Sequence, residues 1–123
     1  MFQIDPFSRT PIYEQIIEQT DRFILSDILR PSDQLPSVRA LSVQHSVNPR
    51  TILKAYQDLD ARGIIQPVPG KGYYVCPDAK SLLCNESREL LDEFAALAQR
   101  LAEAGVTRAE IEARIDSIYN KED

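Results

Sequence analysis

The chain has 123 residues, 43% of them hydrophobic, enough for one compact domain with a modest core plus a small appendage but not for a large ligand-binding domain as well. No apolar run exceeds the five residues from Phe94 to Ala98, far below the roughly 20 of a spanning helix, and no basic-then-apolar leader opens the chain. A soluble, cytoplasmic protein is expected, and its net charge of −5 argues at first against a nucleic-acid partner.

At the N-terminus Phe2 and Ile4 alternate with polar residues, as in a short strand. Thr10 and Pro11 predict the start of a first helix, with a hydroxyl as N-cap and proline at the first helical position. Ile12, Ile16, Phe23, Ile24 and Ile28 follow at helical spacing, so the stripe runs to about Leu29, where Pro31 stops it. A loop from Pro31 to Pro36 leads to Ser37, a cap for a short helix carrying Val38 and Leu41 and ending near Ser46. Asn48 with Pro49 then opens a further helix to about Arg62, closed by Gly63. Two helices parted by so short a turn form a helix-turn-helix candidate.

After Gly63 the period changes. Ile64, Ile65 and Val68, a Pro69-Gly70-Lys71-Gly72 turn, and Tyr73, Tyr74 and Val75 predict a two-stranded hairpin whose glycine-containing tip lets backbone approach a partner closely. Pro77 marks a boundary, giving a first domain over 1–77 and a tail over 78–123. Leu83, Leu90, Phe94, Leu97 and Leu101 form one helical stripe there. Thr107 with Glu110 is a capping box before Ile111, Ile115 and Ile118. Such a helical hairpin buries too little by itself, so these eight apolar residues are expected to face a second copy of the chain. Cys76 and Cys84 near the boundary and the single histidine, His45, form no disulfide framework and no metal-ligand spacing. No metal or cofactor is expected; the thiols read as free and His45 as packing beneath the helix pair.

Charge is segregated along this plan. Residues 34–75 carry five basic and two acidic side chains, while 1–33 carry three and six, and 76–123 carry six and eleven. On a wheel of the helix after Asn48, Ile52, Ala55, Tyr56 and Leu59 gather on one side and Arg50, Lys54 and Gln57 on the other. A helix whose outer face bears an arginine, a lysine and an amide suits the DNA major groove, with Thr51 at its rim and Arg39 offered to the backbone by the preceding helix. The same face would also serve as an ordinary solvated surface.

The run LPSVRALSVQHSVNPRTILKAYQDLDARGIIQPVPGKGYYV, Leu35 to Val75, resembles the winged helix-turn-helix domain of the GntR family of bacterial transcription regulators. The Val47-Asn48-Pro49 turn, Lys54-Ala55-Tyr56 and the two-helix tail look most like its YtrA subfamily. The resemblance implies a mainly α fold with a small β-hairpin, and a repressor that binds a palindromic operator as a homodimer and commonly controls a transporter operon. It implies double-stranded DNA as partner and puts Arg39, Thr51 and Gly72 at contact positions of the family; with Ser37, Asn48, Arg50, Lys54 and Lys71 of this chain they make up the candidate contact set, and a small-molecule effector stays unknown. The chain departs from the family pattern at Pro49 and Leu53, where many members have arginine, and at Ala40, where an acid is common.

Two other readings stand beside it. One is a protein-interaction module working through its acidic helical tail, and the other a detached DNA-binding half of a larger pyridoxal-phosphate-type regulator. An enzyme is not expected. There is no nucleophile elbow, and Gly70-Lys71-Gly72 lacks the frame of a phosphate loop.

Overall fold

The computed structural model describes residues 1–120; the last three residues of the expected tail lie outside the described residues. Five helices and one antiparallel hairpin follow in the order α1 (Ile12–Leu25), α2 (Val38–His45), α3 (Pro49–Ala61), β1 (Ile65–Val68), β2 (Gly72–Val75), α4 (Ala79–Glu103) and α5 (Arg108–Tyr119). The hairpin register pairs Ile65 with Val75 and Val68 with Gly72. The expected fold class, mainly α with a small hairpin, is the one observed.

Contacts divide the chain into one compact unit over Met1–Asn85 and a second beginning at Glu86. The core of the first unit is built from Ile16 and Ile24 of α1, Leu41 of α2, the buried face of α3 and Ile64, Ile65 and Val75 around the hairpin. On α3, Ile52, Ala55, Tyr56 and Leu59 are all fully buried. Fully burying one large apolar side chain is worth about 1.5–3 kcal/mol. Three on one stripe decide which way α3 faces, and Arg50, Lys54 and Gln57 are left outside.

Several local expectations need correction. Residues 2–4 form no strand. Instead Gln19 accepts from the Gln3 N–H at 2.9 Å and donates to the Gln3 carbonyl at 2.6 Å, and Gln15 does the same for Asp5 at 2.9 and 2.8 Å. Two glutamine amides one helical turn apart thus take the place of a neighbouring strand, and Phe2 packs edge-on against Phe23. Thr10 does not cap α1: Pro11 holds the cap position with no side-chain bond, and the Thr10 carbonyl accepts from Gln15. Nor does α1 reach Leu29. It ends at Leu25 because Asp27 turns left-handed (φ 62°), which leaves Ile28 exposed and returns Leu29 to the core.

Residues 31–36 are more than a loop. Leu35 donates to Tyr73 O, Ser32 donates to Val75 O, and Val75 donates to Asp33 O, at 2.9–3.0 Å, so this segment covers the free edge of β2. Leu83 also departs from its expected place. With Ala79 it is buried in the core of the first unit, which therefore extends past Pro77, and it is absent from the exposed apolar stripe.

The second unit has the expected hairpin. Gly105 sits between its helices at φ 90°, and Thr107 and Glu110 make the capping box in both directions. None of its described residues is buried. Leu90, Phe94, Leu97 and Leu101 stay 38–57% exposed and Ile118 69%, whereas Ile111 and Ile115 are half-buried. Among the described residues, no helix is long and apolar enough to cross a membrane.

Candidate nucleic-acid interface

The turn between α2 and α3 is set by local chemistry. Ser37 Oγ accepts from the Ala40 N–H at 2.9 Å, and Asn48 Oδ1 accepts from the Arg50 N–H at 2.9 Å, so each helix has a side-chain cap. Ser46 takes a left-handed conformation (φ 54°) and closes α2, while Ser42 Oγ donates to the Val47 carbonyl at 2.6 Å. Val47 is buried, and Pro49 holds the first position of α3. Each of these bonds restricts the entry of α3, so the side chains of its first turn start from a fixed backbone.

Neither α2 nor α3 carries an acid in its first turn, in contrast to α1 with Glu14 and α5 with Glu110. The partial positive charge at both N-termini is thus not met by a first-turn carboxylate, as is also the case for α4. Arg39 lies in the first turn of α2 and Arg50 in that of α3, both exposed, with Thr51 half-buried beside Arg50. No side chain among the described residues pairs with the charged groups of Arg39, Arg50 or Lys71. Arg62 differs: it is tied to Asp21 at 3.2 Å and lies 4.0 Å from Asp58. Ser37 and Asn48, the two cap residues, are both exposed.

Lys54 is exposed but engaged. Its ammonium sits 3.8 Å from the centre of the Tyr13 ring, reaching from α3 to α1. Nothing local in the sequence signals this contact, which depends on how α1 packs against α3.

The hairpin forms a wing with Lys71 and Gly72 at its tip. Gly72 has φ 123°, and a Cβ built there would lie 3.1 Å from Gln34 Nε2. That amide donates to the Lys71 carbonyl at 2.7 Å, and Gln34 also bridges to Tyr74. Nothing local signals Gln34 either; it lies in a stretch without periodicity and its role is purely tertiary. Gly72→Ala is expected to cost about 1–2 kcal/mol of stability, from unfavourable backbone plus displacement of the Gln34 amide, read as a lowered Tm. An unchanged Tm would show that the tip relaxes freely.

Tyr56 fixes α3 to the start of α2 by donating its hydroxyl to the Pro36 carbonyl at 2.7 Å, and burial raises its pKa far above the ordinary range. Cys76 and Cys84 are half-buried free thiols. Burial first, then the charges of Asp60 and Asp78, pushes the Cys76 thiol up, away from the reactive thiolate. His45 Nε2 is buried without a hydrogen-bond partner, and no cluster of metal-binding side chains occurs among the described residues.

Residues 12–75 match the family of bacterial regulatory proteins, gntR family. The chain is 42% identical to the HTH-type transcriptional repressor YtrA of Bacillus subtilis (strain 168), across 91% of this chain and 85% of that protein. A transcriptional regulator from Oenococcus oeni has a similar structure, with TM-score 0.73 and 28% identity, covering 97% of this chain and 99% of that one. AraR(DBD) in complex with operator ORE1 matches with TM-score 0.52 and 31% identity, covering 62% of this chain and 95% of that one. YtrA and the Oenococcus oeni protein are both named as regulators of transcription. With the family match spanning more than half of its residues, and a helix-turn-helix and wing in place, the chain belongs to the gntR family of bacterial regulatory proteins and is a DNA-binding transcription regulator.

Proposed function

We propose that the chain is a repressor that binds a palindromic operator as a homodimer. In this reading α3 lies in the major groove, the wing tip with Lys71 and Gly72 approaches the minor groove, and Arg39 meets the backbone. The observation that carries it is the capped N-terminus of α3, which presents Arg50, without a side-chain partner among the described residues, opposite a fully buried face. YtrA, similar over most of both chains, bears the name of a repressor, and AraR(DBD) was solved with operator DNA. Repression follows from occupancy of promoter DNA, and control of a transporter operon is the target the YtrA resemblance suggests. The second unit supplies the dimer contact through Leu90, Phe94, Leu97, Leu101, Ile111, Ile115 and Ile118. Two-fold symmetry then requires two half-sites. Residues 1–77 act as the DNA-binding domain and 78–123 as the dimerisation tail, with the core of the first unit borrowing the start of α4.

Selection of bound sequences from a random double-stranded DNA pool, at two salt concentrations, tests this. An enriched palindrome is expected, with affinity falling as salt rises. Salt-sensitive binding with no enriched sequence would overturn sequence-specific recognition. Absence of binding would favour an interaction module acting through the acidic tail.

A further inference from the structure

The outer face of α3 carries two cations one turn apart, and the structure treats them differently. Arg50 has no side-chain partner among the described residues, whereas the Lys54 ammonium rests over the Tyr13 ring at 3.8 Å. Tyr13 is half-buried and packs against the core, so its ring is held by the body of the domain. Its hydroxyl donates to Glu14 Oε1 at 3.3 Å, and the ring face is what it offers to Lys54. A cation over an aromatic face is attracted by the ring quadrupole. An ammonium has three donors in no fixed plane, and the ring covers only one side of it.

We propose that Tyr13 is a positioning residue that holds Lys54 as a phosphate contact, so that base reading on α3 falls to Arg50. This rests on the DNA-binding reading above. To reach a base edge Lys54 must leave the ring and lose its attraction; to meet a phosphate it keeps the ring and turns its uncovered donors outward. A phosphate oxygen accepts from such a point charge whatever the base sequence. The expected signature of Lys54 is therefore affinity without sequence preference.

The test compares Lys54→Ala, Tyr13→Leu and Tyr13→Phe in the full chain, on the DNA selected with the parent and on a scrambled duplex. Tyr13→Leu is expected to weaken both complexes by a similar factor of about two to ten, because the Lys54 side chain freed from the ring must then be ordered on binding. Lys54→Ala is expected to weaken both uniformly and to reduce the salt slope by about one, with base preferences unchanged. Tyr13→Phe keeps the ring and should match the parent. A lost preference at one base pair in Lys54→Ala would make Lys54 a base reader and overturn the proposal. So would parent-like binding by Tyr13→Leu, or equal weakening by Tyr13→Phe. If Tyr13→Leu melts early, the Tyr13 ring-proton shifts in folded Lys54→Met decide, and shifts identical to the parent's overturn the contact. Failure of the DNA reading itself looks different, since the parent would then enrich no sequence.

Discussion

Replacing Phe94 and Leu97 together by glutamine is expected to convert a dimer to a monomer in sedimentation and to weaken operator binding by roughly 10²- to 10⁴-fold, the usual gain from linking two binding modules. These side chains are 48% and 51% exposed on a hairpin in which no described residue is buried. Leu90, Phe94, Leu97 and Leu101 repeat at spacings of four, three and four, and so do Ile111, Ile115 and Ile118 at four and three, which is the pattern of a helix seam. An isolated helix pair with its apolar seam open to water is marginal, and in the proposed homodimer a second copy would cover both seams at once. The double variant leaves the first unit untouched, because its core ends at Leu83. Binding to a single half-site should therefore persist at the weak level of one module. A dimer that survives both changes would place the interface elsewhere. Loss of helicity by circular dichroism beyond the tail would mean that the variant acts through folding.

Legibility in the sequence followed locality. Ser37, Asn48-Pro49, Gly63 and the Thr107–Glu110 box act within a few residues of themselves, and each caps or closes a helix where expected. The wing was readable from its change of period and its Pro-Gly turn. What could not be read depends on neighbours distant in sequence. Gln15 and Gln19 capture residues 3 and 5 through side-chain amides, which alternation alone imitates as a strand. The helix stripe extending to Ile28 was broken by one left-handed aspartate, a conformation that aspartate adopts more readily than most residues but does not announce. Leu83 continues the spacing of the tail's stripe yet joins the other core, since periodicity says which face is apolar and not what it meets. At the candidate interface the charged face of α3 was legible, while the partner of Lys54 was not.

Arg50→Ala is expected to weaken binding to the selected operator by about 1–3 kcal/mol, roughly 5- to 150-fold, and to relax the preference at one base pair of each half-site. Arg50 is the second residue of α3, directly after Pro49, and the N-terminal residues of a recognition helix are those that reach base edges. Its backbone N–H is held by Asn48 Oδ1, so the side chain leaves from a restrained position and loses less freedom on binding. Alanine keeps the helix, being its best former, and the cap bond uses only the backbone of residue 50, so the fold should be unchanged and the loss should report recognition. Arg50→Lys separates charge from geometry. A lysine restores affinity for scrambled DNA through its charge, yet it lacks the planar fork that grips guanine O6 and N7 together, so the base preference should stay relaxed. If Arg50→Ala binds operator as tightly as the parent, base reading does not lie at the start of α3. If Arg50→Ala weakens operator and scrambled DNA alike and Arg50→Lys restores both, the contact is a point charge on a phosphate, and the division of work between Arg50 and Lys54 is wrong.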